Sequence, residues 1–177
     1  MVGERNLYSV HGLVILDSEG NRVMAKYYDK NQQTNLKEQR TFEKGLFDKT
    51  SKGNGDIILY NDKLILYKSM MDLIVYLIAP SEENELMLSS ALNGFIDGIS
   101  LLLRHQLEKT SVIENLDMVL LALDESIDDG IILETDSNAI ASRVSRPKAD
   151  TNEIQINEQT IMRAFDMVKD RVSKIQL

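Results

Sequence analysis

Residues 124–130 (Asp-Glu-Ser-Ile-Asp-Asp-Gly) place four carboxylates and a hydroxyl within seven positions, a density that could ligate a divalent cation. A calcium loop starting at Asp124 needs Gly at its sixth place and Glu at its twelfth. Those places hold Asp129 and Thr135, and Glu134 falls one residue short. The sharp turn and the bidentate ligand are both missing, so no metal site is expected. His11 stands beside Gly12 in a β-rich run and would need a carboxylate partner to shuttle protons. His105 falls late in a helical run, where the helix dipole favours a cation. There is no Cys, which removes thiolate nucleophiles, thiolate metal sites and disulfides together. Gly53-Asn54-Gly55 lacks the Lys-Ser/Thr of a phosphate loop, and no Gly-x-Ser-x-Gly elbow occurs. The expectation is a chain with no catalytic site and no cofactor.

Charge is distributed unevenly. The 177 residues carry 20 Lys+Arg against 28 Asp+Glu, a formal charge of −8. Residues 111–142 contain no Lys or Arg, yet include Glu114, Asp117, Asp124, Glu125, Asp128, Asp129, Glu134 and Asp136. Residues 36–52 lean the other way, with Lys37, Arg40, Lys44, Lys49 and Lys52 against Glu38, Glu43 and Asp48. A net acidic chain is a poor fit to nucleic acid, whose phosphates need a basic surface. The acidic stretch is either a solvated face or a surface for a basic protein partner. No apolar run reaches 18 residues, so no membrane span is expected. The first residues, Met1-Val2-Gly3-Glu4-Arg5, show no apolar leader core, which with the absent cysteines points to a reduced cytoplasmic setting.

The elements follow from periodicity and punctuation. Residues 7–16 read as a strand covered on both faces. Turn residues at 17–21 and an alternating run at 22–28 complete a hairpin. Asn35 with Glu38 forms a capping signature for a helix to about Thr50, its stripe being Leu36, Phe42, Leu46 and Phe47. Three short strands follow at 56–60, 63–68 and 72–79. Asn61-Asp62 turns between the first two, and Ser69-Met70-Met71 joins the second pair. A long helix at 83–108 carries Leu88, Leu92, Phe95, Ile99, Leu102 and Leu103 at helical spacing, with Ser81 or Asn84 as its cap. Ser111 with Glu114 opens another helix, with Val112, Leu116, Val119, Leu123 and Ile127 as its stripe. Asp128-Asp129-Gly130 breaks it, and Asp136 caps a short helix to about Val144. A polar linker at 147–152 leads to an amphipathic helix at 157–175. The expected class is α/β (α+β mixed): one mixed five-stranded sheet, order β-β-α-β-β-β-α-α, with helices on both faces. Residues 1–146 would form the domain, and 147–177 the linker and terminal helix.

Particular strings in this order resemble the family of coatomer zeta subunits and their relatives, the sigma (small) chains of clathrin adaptors. They are residues 12–20 (Gly-Leu-Val-Ile-Leu-Asp-Ser-Glu-Gly), Ala25-Lys26-Tyr27-Tyr28, Glu38-Gln39, Phe42-Glu43-Lys44, Ile65-Leu66-Tyr67-Lys68 and residues 83–88. Glu114-Asn115-Leu116, Ala122-Leu123-Asp124-Glu125, Asp129-Gly130 and Ile132-Leu133-Glu134 extend the match. Of the small-chain signature, Ile65, Leu66, Tyr67, Lys68 and Leu73 fit, but Ile74 and Val75 replace its two aromatics, which favours zeta over sigma. The resemblance implies a longin-like fold without catalysis, paired with a large gamma subunit in a seven-subunit coat. An Arf-class GTPase would recruit that coat to Golgi membranes for retrograde and intra-Golgi traffic. It implies a cytoplasmic, peripheral location on Golgi membrane and coated vesicles, with no nucleic acid and no membrane insertion. Some sigma chains read acidic-dileucine cargo motifs in an area matching Met71, Leu73, Val112 and Met118. Met71 is bulkier than the small residue expected there, which argues against cargo. Aromatic and Met side chains commonly anchor large interfaces, and Tyr27, Tyr28, Phe42, Phe47, Met70 and Met71 are the expected partner-binding residues.

Overall fold

A computed structural model describes residues 9–28, 35–51 and 56–145. The chain divides after Ser145. The expected linker and terminal helix, like Gly53-Asn54-Gly55, lie outside the described residues.

Strands β1 (Gly12–Asp17) and β2 (Arg22–Tyr27) form the first hairpin, and helix α1 (Leu36–Thr50) follows. Strands β3 (Ile57–Tyr60), β4 (Lys63–Met70) and β5 (Leu73–Pro80) form a meander. Helix α2 (Glu85–Leu102) comes next, then α3 (Lys109–Glu114) and α4 (Leu116–Ser126). Strands β6 (Ile127–Asp128) and β7 (Ile131–Ile132) make a small hairpin before α5 (Ser137–Val144). The large sheet runs β2-β1-β5-β4-β3.

Every pairing in that sheet is antiparallel, so the expected mixed sheet is corrected. The reason is the crossover. Helix α1 carries the chain from one edge, β2, to the other, β3, and the meander then brings β5 back beside β1. The two strands joined by the crossover run the same way but never sit side by side.

The sheet is covered on both faces, as the unbroken burial of β1 requires. One core, on the α1 side, joins Leu46 of α1 to Val14, Leu16, Ile65, Tyr67, Tyr76 and Ile78 of the sheet. The other core, on the α2–α5 side, joins Leu88, Phe95 and Ile99 of α2 and Val119 and Leu123 of α4 to Leu13, Ile15, Leu66, Val75 and Leu77 of the sheet. Helix α2 packs closely because it has Gly94 and Gly98 on its inner side. A Cβ at Gly94 would stand 2.2 Å from the Thr135 carbonyl oxygen, and one at Gly98 3.1 Å from Ile140 Cγ2.

Several expected elements change. The helix expected at 83–108 stops at Leu102, because Arg104 and His105 take left-handed φ values of 53° and 65°. The helix expected from Ser111 starts at Lys109 and breaks at Asn115, whose φ is −120°. Its stripe is nevertheless placed inward: Val112, Val119, Leu123 and Ile127 are buried and Leu116 packs against them. Asp129 and Gly130, with φ values of 45° and 83°, form the two-residue turn of the β6–β7 hairpin, a backbone that an Asp-Gly pair favours. The acidic string that suggested a cation loop thus makes a tight turn. Leu36, expected in the stripe of α1, is 61% exposed.

Candidate partner interface

The β2–α1 contact shows how the expected anchors are held. Glu43 is buried on α1 and accepts from Arg22 Nε at 2.9 Å and from the Tyr27 hydroxyl at 2.8 Å. Arg22 also donates to the Gln39 side chain at 3.1 Å. Burial pushes the Tyr27 hydroxyl well above its usual range, and the Glu43 charge adds to this. Tyr27 therefore stays a neutral donor to Glu43. Phe42 is half-buried, its ring 5.2 Å from that of Tyr60. Tyr27, Glu38, Gln39, Phe42 and Asn61 line a cleft of about 210 Å³. Phe47, one turn on, closes over Gly20.

Tyr28 points to the other side of the sheet. Its hydroxyl donates to the Ile127 carbonyl at 3.0 Å. Burial raises its pKa, and Asp124, Asp128 and Asp129 push it further the same way. Met70 is half-buried in this second core. Leu73 and Val112 are buried and Met118 is packed against the same core. Met71 alone projects, 87% exposed at the β4–β5 turn with φ 44°. The expected anchors therefore divide between the two faces of the sheet: Tyr27, Phe42 and Phe47 on one; Tyr28, Met70, Leu73, Val112 and Met118 on the other.

Beside Met71 lies a polar clamp. Asp17 accepts from the Glu19 amide at 3.0 Å, the Asn21 amide at 2.8 Å and Lys109 Nζ at 2.8 Å. The Asp72 side chain accepts from the Lys109 amide at 3.0 Å, capping α3 from the β4–β5 turn. Burial pushes the Asp17 carboxyl up, but the Lys109 bond and those from Asn21 and Glu19 outweigh it and hold the group at about 2. These bonds tie the β1–β2 turn and the β4–β5 turn to the start of α3.

Sequence reasoning passed over several exposed apolar side chains: Leu59, Leu86, Ile113, Leu121 and Leu133 are each more than half exposed. One signal was available for Leu121, which is out of phase with the stripe at 112, 116, 119 and 123 and so had to point elsewhere.

A five-stranded antiparallel sheet between a single helix and a helical layer is the architecture of a small adaptor-type chain. Residues 9–151 match the family described as the clathrin adaptor complex small chain. The fold is similar to a chain in a homology model of the full-length AP-3 complex in a stretched open conformation. That likeness has a TM-score of 0.60 and 17% identity, and covers 92% of this chain and 98% of that one. The sequence is 45% identical to coatomer subunit zeta of Saccharomyces cerevisiae over 160 residues, covering 85% of this chain and 84% of the relative. It is 38% identical to human coatomer subunit zeta-1 (97% and 95% covered) and 40% identical to coatomer subunit zeta-3 of Arabidopsis thaliana (93% and 92%). The chain belongs to the adaptor small-chain family, in its coatomer zeta branch. Its role is accordingly that of a coat subunit in vesicle transport. Among the described residues no helix is long and apolar enough to cross a membrane.

Proposed function

We propose that this chain is a non-catalytic structural subunit of a coatomer-type coat that pairs with the large gamma subunit. Within the assembled coat it serves Golgi-to-ER retrograde and intra-Golgi transport, reaching the Golgi membrane indirectly through its partners and an Arf-class GTPase. The observation that carries this is zeta-like sequence at 38–45% identity over 85–97% of this chain and 84–95% of the relatives. The polar network supports it. The buried carboxylates Asp17 and Glu43 are bonded to cations of their own chain, which suits a rigid body made to be gripped rather than one poised for proton transfer.

Co-expression tests it. The full chain and a gamma subunit are expected to co-purify at one-to-one stoichiometry. Recovery of the two as separate species would remove the reading. Binding of an acidic-dileucine cargo motif is not favoured, since Leu73 and Val112 are 1% and 0% exposed and fill the core instead of lining a slot.

A further inference from the structure

Helix α4 has two unlike sides. Val119, Ala122, Leu123 and Ser126 are buried. Opposite them, Asp117, Leu121 and Asp124 follow at spacings of four and three residues, which aligns them on one outward line. Leu121 is 54% exposed, and Leu120, at the margin, 38%. Ile113 on α3, just before this line, is 52% exposed. Leu133 is 58% exposed beside the last turn of α4, where its amide donates to the Ser126 carbonyl at 2.9 Å. Isolated exposed leucines are ordinary. Leu120 and Leu121 on α4, Ile113 on α3 and Leu133 bonded to the last residue of α4 together expose apolar surface that gains free energy when covered, at about 25 cal/mol per Å².

The charge around these side chains identifies their cover. The segment 111–142 supplies eight carboxylates and no cation. Among the described residues two cations from outside reach it: Lys26 meets Asp124, and Arg143 meets Glu125 and Glu134. With eight carboxylates against these two cations the surround is net acidic, and a twofold contact with a second copy would set mostly carboxylates against carboxylates. The same surround also repels an anionic lipid surface. It complements an apolar strip rimmed by Lys and Arg. We infer that the outer side of α4, with Ile113 and Leu133, is the surface this subunit docks onto a basic-rimmed apolar strip of its larger coat partner. The inference rests on the pairing proposed above and adds to it the face.

The test measures binding of the full-length chain to the coatomer gamma subunit, at low and high salt. Leu121→Asp, at an exposed site, is expected to melt like the wild type and to bind about tenfold more weakly or worse, as loss of a central apolar anchor does. Leu121→Ala should fall between the two, and serves if the Asp variant does not fold. Leu86→Asp, on α2 at a side chain 75% exposed, is expected to bind as the wild type does. Asp117→Lys should lower the association rate and flatten its salt dependence. Wild-type binding with Leu121→Asp unaffected overturns the face while leaving the pairing intact. A self-dimer broken by Leu121→Asp, with gamma binding unaffected, overturns it too. Absence of wild-type binding removes the pairing itself and the inference with it.

Discussion

The two faces of the sheet are stabilised by different means. The α1 face is small and depends on polar geometry. Arg22, Tyr27, Gln39 and Glu43 form one network. Deeper in, Thr50 donates to the Leu46 carbonyl at 2.9 Å and meets the Tyr76 hydroxyl at 2.8 Å. The α2–α5 face is larger and almost wholly apolar. Directional bonds therefore set how α1 sits, while close packing at Gly94 and Gly98 sets how α2 and α5 sit. A helix that buries Glu43 and Thr50 beside Leu46 is sensitive to loss of a single charge. A helical layer held by packing is sensitive to loss of volume.

Four substitutions probe that contrast. Phe95→Ala, on the apolar face at full burial, should have the largest effect, about 3–5 kcal/mol in urea unfolding. Arg22→Ala should cost about 3 kcal/mol, because it leaves the Glu43 carboxylate buried without its cation. A double-mutant cycle with Glu43→Gln should show strong coupling; additivity would mean the pair is not a unit. Tyr76→Phe should cost only about 1 kcal/mol, since Thr50 keeps its bond to Leu46.

A further effect appears only in acid. The Asp17 carboxyl sits at about 2 in the fold against an ordinary 3.8. A depressed carboxylate contributes stability above its unfolded pKa and loses it as the pH falls through the folded one. The wild type should therefore lose melting temperature between about pH 4 and 2 more steeply than Asp17→Asn does. Parallel curves would show that the clamp contributes nothing.

The same division explains what was legible in the sequence. Strands and apolar stripes depend on local alternation, so β1 and the inward line of α3–α4 could be read directly. Local caps were equally open to reading: Asn35 accepts from the Lys37 amide, Asn84 from the Leu86 amide and Asp136 from the Ala139 amide. The start of α3 was not legible, because its cap is Asp72, 37 positions earlier in the chain. Nor was the sheet's direction, which depends on where the crossover lands. The anchors presented the same difficulty. Tyr27 and Tyr28 are adjacent in sequence and bulky, but their bonds to Glu43 and Ile127 commit them to opposite cores. Composition alone does not separate a core tyrosine from an interface one.

The most direct measurement is the melting temperature of the full-length chain with and without saturating gamma subunit. A partner that binds only the folded form stabilises it by about 4 kcal/mol at a thousandfold excess over Kd. At about 2–4 °C per kcal/mol for a chain of this size, the melt should rise by roughly 10 °C. A melt that stays where it is at every partner concentration would contradict the account.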